Sequence, residues 1–219
     1  MPVAIAFALT CIHAPAGATD KSEAEGLVVK SLATVQALSK DSDFAAMKSS
    51  LAQARAIIVF PRVVKAGFVL GGSGGSGVLL ARDADTGTWA GPAFYTLRSA
   101  SLGLQAGASS AEMVMVVNSQ KALDSLYTNK LKLGAEATVV LGPKGVAKGG
   151  PLGADFVVYS KVKGAFAGVS VDGSVLDVRQ SLNTAFYGKR ATPTDILVKR
   201  DISSPEADPL RVAVADAAK

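Results

Sequence analysis

The sequence predicts a single α+β domain, an antiparallel sheet or barrel with helices at its N-terminal and C-terminal ends. Three observations predict it. Apolar residues recur at helical spacing up to about residue 54; short β-branched segments punctuated by glycine follow to about 180; and a strong helix start stands at Thr192.

Taken in order, Leu27, Val28, Leu32, Val35 and Leu38 mark a first helix across 24–39. A second starts near Ser42 or Asp43, either of which can cap it, with Phe44, Met47, Leu51 and Ala54 on one face. The run Ala56-Ile57-Ile58-Val59-Phe60 is strand-like and is expected to end at Pro61. The clearest strands then fall at 68–70, 78–81, 94–97, 113–117, 138–141, 156–159, 166–171 and 175–178. One helix interrupts them at 119–127, with Ala122, Leu123 and Leu126 spaced for burial. Asp83 to Gly87 reads as a polar hairpin connection, and Gly142-Pro143-Lys144-Gly145 puts proline where a type I or II turn needs a fixed φ. At the last helix start Thr192 caps, Pro193 takes the first position and Asp195 sits at the positive end of the dipole. A lone tryptophan such as Trp89, here within a strand, belongs to a core or to an interface.

The chain has 219 residues, 49% hydrophobic and 19% charged, which suits a folded and well-buried domain. Its one cysteine, Cys11, and its one histidine, His13, lie at the N-terminus. Residues 3–12 form an apolar stretch too short to span a membrane, and Ala16-Gly17-Ala18 has the small-x-small pattern of a signal-peptidase site. Residues 1–18 therefore read as a signal peptide and 19–219 as the domain. The positively charged start of a signal is missing, so the true start is open to lying upstream. Cys11 is the candidate lipidation site, although Thr10 precedes it where a small Gly, Ala or Ser is usual. The location expected is exported, periplasmic or secreted, with envelope association. A domain without His or Cys has no disulfide, no zinc finger and no imidazole for acid–base or triad chemistry.

The enzyme-like strings lack their partners. Gly72, Gly74 and Gly77 satisfy G-x-G-x-x-G, but a strand, Val78 to Arg82, follows where a dinucleotide site needs a helix. The segment Gly71, Gly72, Gly74, Gly75 and Gly77 is expected instead to be a flexible loop between strands, facing a lipid or another ligand. Gly71 to Gly75 also fits the nucleophile elbow, whose chemistry needs a histidine. Ser160 and Lys163 fit S-x-x-K, yet an odd separation in a strand sends them to opposite faces. Asp83 and Asp85 lack the later ligands of a calcium loop. No catalytic residue, metal site or cofactor is assigned.

The net charge, 23 − 18 = +5, is too small to imply nucleic acid. Its distribution says more. Residues 55–82 hold Arg55, Arg62, Lys65 and Arg82 and no acid, and 144–163 hold Lys144, Lys148, Lys161 and Lys163 against Asp155 alone. Residues 201–219 carry four acids and two bases. Basic residues beside apolar, glycine-rich segments suit an anionic lipid surface. Arg62, Lys65, Arg82, Lys144, Lys148, Lys161 and Lys163 are the candidate lipid-binding residues.

The run Ala56 to Phe68, with Pro61 and Lys65, then the glycine-rich segment and Gly77 to Arg82, resembles the core of SYLF domains. So do Gly87-Thr88-Trp89-Ala90-Gly91-Pro92, the segment from Gly103 to Gly107, Leu141 to Gly145, and the stretch from Tyr159 through Lys161, Gly164 and Gly168. The likeness covers roughly residues 25–200 and looks like the exported, bacterial branch. It implies a non-enzymatic binder of phosphoinositides or, as in actin-patch proteins, of actin filaments. In that family lipid binding is attributed to a basic N-terminal helix, whereas residues 19–49 here carry four bases and five acids. The leading expectation is a lipid- or membrane-surface-binding protein of the bacterial envelope, with an anionic lipid as partner and no nucleic acid. The alternative is a protein-interaction or structural module, including an actin-binding one, with a protein partner.

Overall fold

The structure is a computed structural model, and it describes residues 16–67, 70–102, 107–128, 130–142, 153–164, 171 and 173–219. A long helix α1 (Ala16–Lys40) leads through a short 3₁₀ turn into α2 (Ala45–Gln53). Four long strands follow: β1 (Ala56–Gly67), β2 (Leu70–Arg82), β3 (Trp89–Leu102) and β4 (Gly107–Val117). Next come α3 (Gln120–Leu126), β5 (Lys130–Lys132), β6 (Val139–Leu141), β7 (Phe156–Gly164) and β8 (Val175–Val178). The chain ends in α4 (Gln180–Tyr187), a π-helical turn (Thr194–Lys199) and α5 (Asp208–Ala217). The strands form one curled sheet in the order β5-β8-β3-β2-β1-β4-β7-β6, antiparallel except for the pair β6 and β7. This is the α+β architecture the sequence predicts.

Both faces of the sheet are covered, which explains why Ile57, Ile58, Val59 and Phe60 are all fully buried. Alternation deals them to two cores. Ile57 and Val59 join Val78, Leu80, Phe94, Val114, Val116 and Tyr159 beneath α1, α2, α4 and α5. Ile58 and Phe60 join Leu79, Tyr95, Met113, Met115 and Val158 on the opposite face, closed by α3 and the π-helical turn. Each such aliphatic or aromatic side chain contributes about 1.5–3 kcal/mol of burial. Trp89 belongs to the helix-side core.

Local signals set the helix starts. Asp41 accepts the Asp43 N–H at 3.1 Å, one residue before the expected cap. Ser119 caps α3 by accepting the Ala122 N–H at 3.1 Å. Thr192 and Asp195 cap reciprocally: the Thr192 hydroxyl accepts the Asp195 N–H at 3.2 Å, and Asp195 Oδ2 accepts the Thr192 N–H at 3.1 Å. In the Asp83 turn, Oδ1 of that residue accepts the N–H groups of Asp85 and Thr86.

Four expectations need correction or completion. Strand β1 does not end at Pro61 but runs on to Gly67. Pro61 lies where the register shifts against both neighbours, so its missing N–H breaks no ladder bond. Gly71 to Gly77 is not a flexible loop. It is the interior of β2, paired with both β1 and β3. Its glycines admit close backbone approach: a Cβ on Gly75 would stand 2.3 Å from the Arg62 carbonyl oxygen at the bulge. The elements β5, α4 and α5 were not anticipated. Residues 68 and 69 of one expected strand and 166–170 of another lie outside the described residues, as do Cys11, Pro143 and residues 1–15. Helix α1 includes Ala16 to Ala18, the expected cleavage segment.

Candidate functional site

Strands β1 to β4 are longer than the cores they support. Past the Val63–Ala111 pair most residues are at least partly exposed, although Ser109 is buried, and glycine, serine, alanine and charged residues dominate this end of the sheet. Register places its residues. Lys65 is matched with Ser73 on β2 and with Ser109 on β4, and Ser73 with Ser99 on β3. Ser109, Lys65, Ser73 and Ser99 thus form a row across four strands, in which the Ser73 and Ser99 hydroxyls are 2.7 Å apart. Lys65 lies two residues beyond Val63, which belongs to the core on the α3 side, so the row occupies that face.

Arg62 stands on the other face, exposed at the bulge. Between the Phe60–Met113 and Val63–Ala111 pairs it lies opposite Glu112, and Glu112 is matched with Lys161. Lys161 Nζ meets Asp41 Oδ2 at 2.7 Å. The hydrogen bond and the charge of Asp41, with Glu112 and Asp43 nearby, raise the Lys161 pKa. Arg98 on the same face pairs with Asp177. Acids interleave with the bases here, so this face is not a uniformly positive field. Lys163 is matched with Ser110 on β4. Arg82 is at the opposite end of the sheet, where its Nη1 donates to the Ala52 carbonyl at 2.7 Å. Lys144 and Lys148 lie outside the described residues.

Of the candidate basic residues whose side chains are described, Lys65 lies on one face of the glycine–serine end, Arg62 and Lys161 on the other, and Arg82 at the far end. The structure brings together Arg62 and Lys161, with Glu112 between them. What sequence reading missed is the serine row. Its members are far apart in the chain and become neighbours only through strand register.

Burial and neighbouring groups set the tyrosine hydroxyls. Burial raises the pKa of Tyr95, whose hydroxyl donates to the Leu126 carbonyl, and of Tyr187, which donates to the Pro92 carbonyl at 2.7 Å. Burial and the Asp124 charge push Tyr127 up to about 12. Among the described residues no group of three or more His, Cys, Asp or Glu is placed to hold a metal ion, and no helix is long and apolar enough to cross a membrane. Ser160 and Lys163 both lie in β7, as expected for a strand that separates them. The arrangement offers recognition chemistry, with hydroxyls, ammonium and guanidinium groups on a rigid sheet.

A family described as the Las17-binding protein actin regulator, Ysc84, matches residues 98–217. Protein YSC84 of Saccharomyces cerevisiae is 40% identical over 156 residues, covering 68% of this chain and 33% of its own length. LAS seventeen-binding protein 3 of the same yeast is 38% identical over 156 residues, 68% of this chain and 34% of its own length. SH3 domain-containing YSC84-like protein 1 of Bos taurus is 33% identical over 160 residues, 71% of this chain and 46% of its own. The chain spans about a third of the length of the yeast relatives it matches. No solved structure matches it.

Proposed function

This chain belongs to the Ysc84 family of Las17-binding actin regulators, and from that membership we propose that it is a non-enzymatic protein-interaction module that engages a partner of the actin machinery. The observation that carries the reading is the likeness to relatives whose names place them with Las17 and YSC84, at 33–40% identity over about two thirds of this chain. The structure is consistent with such a module. Its sheet is packed on both faces, and its glycine–serine end holds short polar side chains in fixed register. On the face that carries Arg62, the alternation of Arg62, Glu112, Lys161 and Asp41 suits a complementary protein surface better than a uniformly anionic one.

The test is sedimentation of the purified chain with actin filaments, beside capture by immobilised Las17. Saturable pelleting with filaments or capture by Las17 is expected. Binding to neither overturns the reading. Anionic and neutral vesicles in parallel tubes separate it from the membrane-surface reading: salt-sensitive pelleting with anionic vesicles alone would favour a lipid partner.

A further inference from the structure

At the end of the sheet remote from Lys65, an open cleft of about 490 Å³ lies between the C-terminal end of α2, the start of β1, the Asp83 turn and Asn118. Arg55 and Arg82 both line it. They stand directly opposite each other across the β1–β2 ladder: Ala56 is matched with Ala81, and the Arg82 N–H donates to the Arg55 carbonyl at 2.7 Å. Like charges at directly opposed positions repel, their Cβ atoms being about 5 Å apart.

Among the described residues no acid pairs with either of them. Arg55 Nη1 donates to Gln120 Oε1 at 3.3 Å and Arg82 Nη1 to the Ala52 carbonyl, both neutral acceptors. The carboxylate that lines the cleft, Asp83, is already engaged. Its oxygens accept the Asp85 and Thr86 N–H groups and the Thr86 hydroxyl, and pair with Arg200. Among the described residues, two arginines with spare donors thus face an open cleft whose lining carboxylate, Asp83, is already paired elsewhere.

We propose that this cleft is the docking site for an acidic segment of a protein partner, whose carboxylates accept hydrogen bonds from Arg55 and Arg82. Paired carboxylates fit the planar donor fork of arginine bidentately and remove the repulsion between the two charges. The open shape suits a peptide segment laid across the surface. The proposal rests on the reading of the chain as a protein-interaction module and assigns that reading a place and a chemistry.

The experiment measures anisotropy of a short labelled peptide of alternating Asp and Gly, with the Asn–Gly peptide as control, on the full chain. The acidic peptide is expected to bind, the Asn peptide not to, and added salt to weaken the complex. Arg55→Gln removes an exposed side chain and no backbone bond, and is expected to weaken binding about tenfold or more. Lys132→Gln, exposed on the edge strand β5 and level through Val175 with Arg98 at the other end of the sheet, is expected to change it by less than about twofold. No binding of the acidic peptide, equal binding of the Asn peptide, or equal loss in both variants would overturn the proposal. A chain that pellets with filaments yet ignores the acidic peptide loses the cleft and keeps its function. A chain that binds the peptide through Arg55 but neither filaments nor Las17 keeps the cleft and loses the function.

Discussion

Phe60 stands over Gly77: a Cβ built on Gly77 would lie 2.5 Å from the ring Cδ1 and 2.7 Å from the Val59 carbonyl oxygen. Two strand positions away in β2, a Cβ on Gly75 would strike the backbone at Arg62, whereas one on Gly74 would meet only the Leu97 carbonyl at 3.4 Å. Gly75 and Gly77 are crowded and Gly74 is not. Gly77→Ala is therefore expected to destabilise the fold by about 1–3 kcal/mol through overpacking. Gly74→Ala should stay within about 0.5 kcal/mol of the parent. Urea unfolding of both variants measures the contrast, and equal midpoints would contradict it.

The Ser50 and Tyr159 hydroxyls lie 2.7 Å apart in the helix-side core, and Tyr159 Oη is 3.2 Å from the Ala46 carbonyl. This contact ties α2 to β7. Tyr159→Phe leaves Ser50 buried with one partner fewer and should cost about 1–3 kcal/mol. Adding Ser50→Ala removes the orphaned hydroxyl, so the double variant should be less destabilised than the sum of the two single ones. Additive losses in a double-mutant cycle would show that the hydroxyls do not interact.

Asn183 replaces a strand neighbour. Its Oδ1 accepts the Phe94 N–H at 2.9 Å, and the Arg179 N–H donates to the Phe94 carbonyl at 2.8 Å, so α4 completes the edge of β3 just before β8 begins to pair. Asn183 is fully buried. Asn183→Leu keeps the number and branching of side-chain heavy atoms but strands a buried backbone N–H, with an expected loss of about 1–3 kcal/mol. Thermal melts and amide exchange at Phe94 report it; unchanged protection there would argue against this role.

Hydrogen bonds from the Thr86 N–H, from Arg200 and from the Thr86 hydroxyl hold the Asp83 carboxyl well below its ordinary value of 3.8. Above that value both folded and unfolded chains carry the charge, and the contribution to stability is fully present. As pH falls below it, the unfolded chain takes up the proton first, so the contribution is lost progressively toward the folded pKa. Asp83→Asn should lower the melting temperature at neutral pH, and its gap from the parent should narrow below about pH 4. A gap of constant size across that range would exclude the carboxylate as the cause.

Much of the fold was legible because its signals are local. The spacing of Leu27, Val28, Val35 and Leu38 sets a helix face within four turns, and all four are buried in the helix-side core. Thr192 with Asp195, and Asp83, act on backbone groups two or three residues away, and each makes the cap or turn read from it. The strands of 78–81, 94–97, 113–117 and 156–159 were recognised by their apolar runs, although all proved longer. Their extensions hold glycine, serine and charge, residues with weak strand preference that are held in place by neighbours already paired.

The candidate site was much less legible. A count of basic residues along 55–82 suggests one patch, but β1 and β2 are a hairpin. It returns Arg82 to the side of Arg55 while Lys65 lies at the far end of the same strands. The bulge at Pro61 then sends Arg62 and Lys65 to opposite faces, and Asp41, distant in sequence, pairs with Lys161. The sequence by itself determined the helices α1 to α3, the cap at Thr192, the β-rich middle of the chain and its likeness to a family. Only the tertiary structure decided which glycines carry a close approach, which lysine has an acid beside it, and that two arginines face one another across an open cleft. Periodicity and capping act over a few residues of the same chain, whereas register and bulges are set by hydrogen bonds between segments that the sequence leaves far apart.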